Sequence, residues 1–166
     1  ITSVEQVRKI LRAGADKVAV NSEAVANPRL IAEIAQEFGS QCCVVSIDAK
    51  LVGEGQYEVY THGGKQPTGK SPAEWACEAE ALGAGEILLN SIDQDGTWNG
   101  FDLKLLSEVT KAVNLPVIAS GGAGSDLHVP QRPSETARRE RRDRHVRAVE
   151  NTRSGILPPR FHGARR

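Results

Sequence analysis

The chain has 166 residues, which is enough for one domain with a hydrophobic core. No apolar run approaches the ~20 residues that a membrane-spanning helix needs, and no signal peptide is recognisable, so we expect a cytoplasmic protein without membrane association. The three cysteines have neither the spacing of a disulfide framework nor that of a metal site, which predicts reduced thiols and no bound metal. The sequence contains no Met and begins with Ile1, from which we expect that the native start is missing or was removed.

The net charge of zero conceals two segments of opposite charge. Residues 1–124 contain three Arg and seven Lys against 16 acidic residues, whereas residues 125–166 contain 11 Arg, no Lys and five acidic residues. The second segment also has no apolar period long enough for a buried strand. We therefore divide the chain into an α/β domain over residues 1–124 and an Arg- and Pro-rich tail over residues 125–166, which we predict to be disordered.

Signals for helices and strands alternate through the first segment. The predicted order is helix 3–14, strand 16–21, helix 27–39, strand 42–50, hairpin 56–69, helix 71–83, strand 86–92, helix 102–113 and strand 116–120. This alternation predicts parallel strands joined by right-handed crossovers. Either a doubly wound sheet or a (β/α)8 barrel would fit. Polar or small residues end each strand, which favours the barrel, because its functional groups lie along that rim.

Carboxylates stand where two of these strands end. Asp48 ends the strand VVSIDAK, where it is either an acid or base for catalysis or a structural partner of Lys50. Asp93 and Asp95 follow the strand EILLNS. Of these two we favour Asp95 for the site, since Asp93 can instead hold the turn through backbone N–H groups.

Two further strand ends carry groups suited to phosphate. Ser120, Gly121 and Gly122 form a strand-to-helix turn whose backbone N–H groups can approach an anion, although the glycines can also mark no more than a tight turn. Asn21 and Ser22 precede a helix and could hold a second phosphate or simply cap that helix.

Other polar residues have less specific interpretations. Lys17 and Glu86 lie at the opposite ends of their strands, where a barrel floor would pair them. His62, in the hairpin loop, is expected to be solvated. Trp98 and Phe101 either cover the site or pack the loop.

Four motifs together, GADKVAVNS, VVSIDAK, EILLNSIDQDGTWNGFD and VIASGGAG, resemble the cyclase subunit of imidazole glycerol phosphate synthase. The resemblance covers residues 1–124 and implies a (β/α)8 barrel of which this chain holds strands four to seven. It implies a lyase of histidine biosynthesis that needs no cofactor. That enzyme receives ammonia from a glutamine amidotransferase partner. It converts a ribulosyl formimino-aminoimidazole carboxamide ribotide with two phosphates to imidazole glycerol phosphate and an aminoimidazole carboxamide ribotide.

The resemblance also implies roles for particular residues. Asp48 matches an essential acid/base aspartate, and Asp95 matches a carboxylate that lines the site. One phosphate would be held with the help of Asn21 and Ser22, and the other with the help of Asn90, Ser120, Gly121 and Gly122. Lys17 and Glu86 match two charged residues that gate the entry of ammonia.

The resemblance ends at Gly124. The family's first three strands, with a second essential aspartate, and its eighth strand are missing, so we predict that this chain alone is inactive. We also hypothesise that the tail is an out-of-frame or misjoined reading.

Three alternatives stay open. The first is the sister phosphoribosyl isomerase of the same pathway, and the second is a non-catalytic barrel remnant that only binds phosphate. The third is a nucleic-acid-binding module built on the Arg-rich tail, although we predict no nucleic-acid partner because a solvated tail explains the composition.

Overall fold

A computed structural model describes residues 1–124 and the backbone of residues 146–148. The helices and strands of this part of the chain alternate as predicted, with one additional short helix after the first strand. The helices are α1 (Val4–Arg12), α2 (Ser22–Ala26), α3 (Arg29–Phe38), α4 (Pro72–Ala81) and α5 (Leu103–Ala112), with a 3-10 turn at Ser40–Cys42. The strands are β1 (Val18–Val20), β2 (Cys43–Leu51), β3 (Tyr57–Thr61), β4 (Gln66–Pro67), β5 (Glu86–Ser91), β6 (Val117–Ser120) and β7 (Val146–Ala148).

Local sequence signals account for the helix starts. Ser3 caps α1 by accepting a hydrogen bond from the Gln6 N–H, and the Gln6 side chain accepts one from the Thr2 N–H. Asp102 caps α5 by accepting a hydrogen bond of 3.0 Å from the Leu105 N–H. These caps satisfy backbone donors that a helix leaves unpaired at its first turn.

The parallel strands are neighbours in the order in which they occur along the chain. β1 pairs with β2, β2 with β5, β5 with β6 and β6 with β7, and all four pairings are parallel. A doubly wound sheet reverses its strand order at a switch point, whereas a barrel does not. The observed order is therefore that of a barrel wall, and the predicted partial (β/α)8 barrel is confirmed for this part of the chain.

The core lies between the sheet and its helices. Val45 and Ile47 on β2 and Ile87 on β5 are fully buried, together with Ile34 on α3 and Trp75 on α4. Residues that alternate with buried ones along the parallel strands, such as Leu88 on β5 and Ile118 on β6, are only half-buried, and Ala19 on β1 is exposed. Because side chains alternate across a strand, the helices cover one face and the other face is the inner face of the barrel wall.

The predicted hairpin lies on the carboxyl end of β2. β3 pairs antiparallel with β2, with Asp48 opposite Tyr60, and β4 pairs antiparallel with β3. β1 pairs with the first half of β2 at residues 43–45, so β1 and β3 share one edge of this strand. The hairpin therefore stands over the strand ends where the site was predicted.

The predicted tail falls largely outside the described residues, and so does the proposed nucleic-acid surface. The exception is β7, which pairs with β6 through Val117 opposite Val146. A short strand thus occurs in a segment for which we expected no buried strand. The domain boundary after Gly124 stays a prediction. No helix within the described part of the chain is long and apolar enough to cross a membrane.

Candidate active site

Three candidate residues lie side by side at the carboxyl ends of the strands. Asp48 on β2 stands opposite Asn90 on β5, and Asn90 stands opposite Ser120 on β6. All three are half-buried and alternate with buried residues, which places them on the inner face. The strand register, set by the buried residues between them, therefore aligns one carboxylate, one amide and one hydroxyl in a row.

Asp48 is held by two side-chain amides. Its Oδ2 accepts a hydrogen bond of 3.0 Å from Asn21 Nδ2, and its Oδ1 accepts one of 3.3 Å from Asn90 Nδ2. A carboxylate only accepts hydrogen bonds, so both amide nitrogens must face it. Lys50, the alternative partner, instead has its Nζ 5.6 Å from the centre of the Tyr60 ring, so the alternative of an Asp48–Lys50 pair is wrong.

Asn21 and Ser22 belong to the same hydrogen-bonded chain. Ser22 Oγ donates to Asn21 Oδ1 at 3.4 Å and accepts a hydrogen bond of 2.9 Å from the backbone N–H of His62. Asn21 precedes α2 but makes no side-chain cap, so the capping alternative is wrong for this residue. The His62 side chain is exposed, as predicted, although the left-handed backbone of His62 (φ 55°) marks a tight turn.

The glycine turn at residues 120–122 is packed against the neighbouring strand and loop. A Cβ on Gly121 would lie 2.6 Å from the Ser91 carbonyl oxygen and 3.1 Å from Asn90 Oδ1. A Cβ on Gly122 would collide with the Gly100 carbonyl oxygen, and the Gly100 N–H donates to the Gly122 carbonyl at 2.8 Å. Both glycines have positive φ angles, so the turn requires glycine for conformation and for space.

One buried acceptor lies directly beneath this turn. Asn90 Oδ1 is buried and has no hydrogen-bond partner among residues 1–124, because the amide nitrogen is turned toward Asp48. An unsatisfied buried acceptor costs about 1–3 kcal/mol. The Asn90 side chain is therefore oriented so that its amide nitrogen binds Asp48, while its own carbonyl oxygen is left without a hydrogen bond among residues 1–124.

The two carboxylates that follow β5 differ in their surroundings. Asp93 Oδ2 accepts a hydrogen bond of 2.8 Å from the Leu51 N–H, which ties this loop to the end of β2. Asp95 is exposed, and its carboxylate accepts no hydrogen bond within residues 1–124. Asp93 thus accepts a hydrogen bond from a backbone N–H, as its structural interpretation requires, but the donor belongs to β2 and not to the turn itself. Asp95 is not joined to the Asp48 network.

A further network was not predicted from the sequence. The Tyr57 hydroxyl lies 2.9 and 3.0 Å from the two carboxylate oxygens of Asp102, and Ser91 Oγ donates to the same carboxylate at 3.4 Å. Burial, followed by the hydrogen bond to Asp102, raises the pKa of Tyr57 to about 12. The only sequence signal at either residue is that Asp102 stands at the start of a helix, as a cap would, and this gives no indication of a contact with Tyr57.

At the opposite end of the sheet, Lys17 Nζ and Glu86 form the predicted ion pair. Lys17 precedes β1 and Glu86 begins β5, so the pair spans the start of β2. The Glu86 side chain is 13% exposed and that of Lys17 is 39% exposed. The amino-terminal end of the inner face therefore carries a charge pair, as expected for a barrel floor.

The cysteines and the two aromatic residues singled out in the sequence are not part of the hydrogen-bond network around Asp48. Cys42, Cys43 and Cys77 are free thiols, and burial raises the pKa of Cys43 to about 11, so this thiol is protonated at neutral pH. Trp98 is largely exposed, and Phe101 lines a small pocket together with Leu105 and Leu106 of α5. Within residues 1–124, no three His, Cys, Asp or Glu side chains are grouped closely enough to hold a metal ion.

Comparison with known proteins identifies the family of this chain. A sequence model of the family described as "Histidine biosynthesis protein" matches residues 1–139. This chain belongs to the histidine biosynthesis protein family. The family match includes every candidate site residue and continues past Gly124. Its fold is the TIM barrel, in agreement with the strand order.

Two curated relatives carry the same name, imidazole glycerol phosphate synthase subunit HisF. The proteins of Streptococcus sanguinis (strain SK36) and Streptococcus gordonii (strain Challis) are each 52% identical to this chain over 137 residues. The aligned region covers 82% of this chain and 54% of each relative. The chain thus spans about half the length of these members of the histidine biosynthesis protein family.

Proposed function

We propose that this chain contributes the carboxyl-terminal part of the active site of an imidazole glycerol phosphate synthase cyclase. The observation that carries the proposal is Asp48, held by Asn21 and Asn90 at the carboxyl ends of parallel strands beside a glycine turn. The shared name of the two relatives favours the cyclase over the sister isomerase. The substrate is the bis-phosphorylated ribulosyl formimino-aminoimidazole carboxamide ribotide.

Asp48 acts as an acid and base in this proposal. Ammonia adds to a carbonyl and water leaves to give an imine. The imine nitrogen then attacks the formimino carbon, whose bond to the departing amine breaks, so that aminoimidazole carboxamide ribotide leaves as imidazole glycerol phosphate forms. Each step moves a proton, and a carboxylate within reach of the reacting atoms can accept and return it. Asp48 suits this role because both of its oxygens are oriented by neutral amides, with no cation bound to the carboxylate among residues 1–124.

Ammonia enters at the amino-terminal end of the strands, between Lys17 and Glu86. From there the inner face leads to Asp48 past Ala19, Val44 and Ser46, which are uncharged. An uncharged path favours neutral ammonia over the ammonium ion, whose desolvation is costly. The exposed Lys17 can swing away from Glu86 to open the entrance.

The two phosphates bind at the two sides of Asp48. Ser22 and Asn21 lie toward β1, and the turn at Ser120, Gly121 and Gly122 lies toward β6. Asn90 supports the second site through its position under Gly121, since its amide nitrogen already faces Asp48. We assign Asp95 to the same site on the family resemblance alone, since it lies exposed on the loop that follows β5 and is not bonded to Asp48.

The ammonia donor is a glutamine amidotransferase, bound as the second subunit of a heterodimer at the Lys17–Glu86 end of the barrel. The word "subunit" in the relatives' names supports an assembly of this kind. We place the reaction in the cytoplasm, which the three free thiols support. No nucleic acid takes part in the reaction.

A chimera tests the proposal. Residues 1–124 replace the aligned segment of the Streptococcus sanguinis relative, and ammonia-dependent formation of imidazole glycerol phosphate is measured. We expect turnover in the chimera. Asp48→Asn should reduce kcat by about 10²–10⁴-fold, the usual contribution of a positioned acid or base.

Glu33→Gln is the matched control, because Glu33 is an exposed carboxylate on α3, away from the strand ends. This change should leave turnover unaltered. A folded chimera without turnover, or one in which Asp48→Asn retains full activity, would contradict the proposal. Phosphate binding without turnover would indicate the non-catalytic remnant.

A further inference from the structure

Tyr57 and Asp102 join two elements that are 45 positions apart in the sequence. Tyr57 is the first residue of β3, and its hydroxyl contacts both oxygens of the Asp102 carboxylate. Lys104 adds a second link, since its Nζ donates to the Gly55 carbonyl at 2.9 Å and lies 5.9 Å from the Tyr57 ring. The start of the hairpin is therefore attached to the start of α5.

Asp102 also determines where the preceding segment runs. The segment at residues 92–101 leaves β5 and returns to Asp102, whose carboxylate binds Tyr57, the Leu105 N–H and Ser91 Oγ. Asp93 fixes the other end of this segment through Leu51. Both ends of the loop are thus bound to the β2–β3 side of the sheet through carboxylates.

The end of this loop is in contact with the glycine turn. Gly100, two residues before Asp102, donates its N–H to the Gly122 carbonyl, and the two backbones approach so closely that no Cβ fits on Gly122. A displacement of Asp102 would consequently move Gly100 and the turn together. The contact sequence runs from Tyr57 through Asp102 and Gly100 to Gly122.

We propose that Tyr57 and Asp102 are positioning residues, which hold the loop at residues 92–101 against the glycine turn so that the turn binds phosphate. This inference rests on the proposed function, because it takes the turn at residues 120–122 as a phosphate site. In this role neither side chain needs to contact the substrate. They act through the position of Gly100.

Three variants of the full chain separate positioning from ordinary stability. Tyr57→Phe removes only the hydroxyl. Asp102→Ser keeps a helix cap on α5 but is too short to reach Tyr57. Ile31→Val, a conservative change in the buried face of α3, is the control for a small loss of stability away from the loop.

Two measurements are made by NMR on each variant. The hydrogen-exchange rate of the Gly100 amide measures how stable its hydrogen bond to Gly122 is. A titration with inorganic phosphate, followed by the chemical shifts of the Gly121 and Gly122 amides, measures the phosphate affinity of the turn. Tyr57→Phe and Asp102→Ser should each speed Gly100 exchange and weaken phosphate binding by about threefold to tenfold, as loss of one hydrogen bond predicts. Their double variant should lose little more, because both changes remove the same contact. Ile31→Val should alter neither quantity.

The outcomes distinguish the two proposals. Unchanged Gly100 exchange in Tyr57→Phe would overturn the positioning role, and so would an equal loss of phosphate affinity in Ile31→Val. If Gly100 exchange becomes faster in the variants but the unaltered chain shows no saturable phosphate binding at the turn, the proposed function is contradicted. The positioning role, which rests on that function, is then contradicted as well.

Discussion

At the amino ends of the strands Lys17 meets Glu86 as an ion pair, whereas at the carboxyl ends Asp48 is held between the uncharged amides of Asn21 and Asn90. Both arrangements orient a carboxylate on the same inner face. At the amino end, the Lys17 ammonium group neutralises the charge of the Glu86 carboxylate. The amides at the other end fix Asp48 through hydrogen bonds to both of its oxygens, and no cation binds this carboxylate among residues 1–124. This contrast agrees with the proposed roles, an ammonia gate at one end and acid–base chemistry at the other.

The largest expected effect concerns the packing of the carboxyl end. In Gly121→Ala the new Cβ would meet the Ser91 carbonyl at 2.6 Å, on a backbone with φ 86°. We expect the free energy of unfolding to fall by at least about 2 kcal/mol, because the backbone strain and the steric overlap act together. Gly14→Ala is the matched control. Its φ is 105° and nothing lies within 4 Å, so it should cost about 1 kcal/mol. Urea denaturation measures both, and equal losses would mean that the turn is not tightly packed.

A second test removes the carboxylate that ties the carboxyl-end loop to β2. Asp93→Ala leaves the Leu51 N–H without its acceptor and should lower the free energy of unfolding by about 1 kcal/mol. Asp93→Asn keeps an acceptor oxygen in place and should lose less than half of that amount. The same denaturation measurement applies. An equally large loss in Asp93→Asn would show that charge, rather than the hydrogen bond, matters at this position.

The ion pair at the amino end should contribute less to stability. Because the Lys17 side chain is 39% exposed, Lys17→Met should cost below about 1 kcal/mol, and the cost should shrink further in high salt. A double-mutant cycle with Glu86→Gln isolates the pair from other contacts of each residue. A coupling free energy that is insensitive to salt would argue that the pair is more deeply buried than the structure indicates.

The last effect has no influence at neutral pH and is a pH dependence at the carboxyl end, seen only in alkaline solution. The pKa of Tyr57 is raised to about 12 from the ordinary value of 10, by burial first and by Asp102 second. The folded protein thus holds this proton more tightly, and its contribution to stability is complete below pH 10. It is lost as the pH rises from about 10 to 12. Tyr57→Phe should remove this part of the alkaline decline in the urea midpoint. Identical declines in both proteins would refute the assignment.

The sequence was sufficient to predict the strands and the row of candidate residues. Asn90 was predicted only from the family resemblance, whereas Asp48 and Ser120 each lie toward the carboxyl end of a short apolar strand, and parallel strands bring such ends to one rim. Lys17 and Glu86 were predicted to pair for the same reason, at the other end. The alternation of helix and strand signals fitted a doubly wound sheet as well as a barrel, and the polar or small residues at the strand ends favoured the barrel.

Contacts between distant side chains could not be predicted in this way. Nothing in the pattern around Tyr57 or Asp102 indicates that the two meet, because the bond depends on how the hairpin folds over β2. Asn21 looked like a cap by position, yet its amide turns to Asp48, an acceptor from another strand. The short strand at Val146–Ala148 has too few residues to give a periodic signal.

The two tryptophans of the chain have opposite surroundings. Trp75 is 1% exposed within the core, whereas Trp98 is 68% exposed on the loop that packs against the glycine turn. A water-soluble quencher such as acrylamide should reach the Trp98 indole and leave Trp75 emitting. The protein therefore carries two intrinsic fluorophores, one of which reports the loop beside the candidate site and the other the integrity of the core.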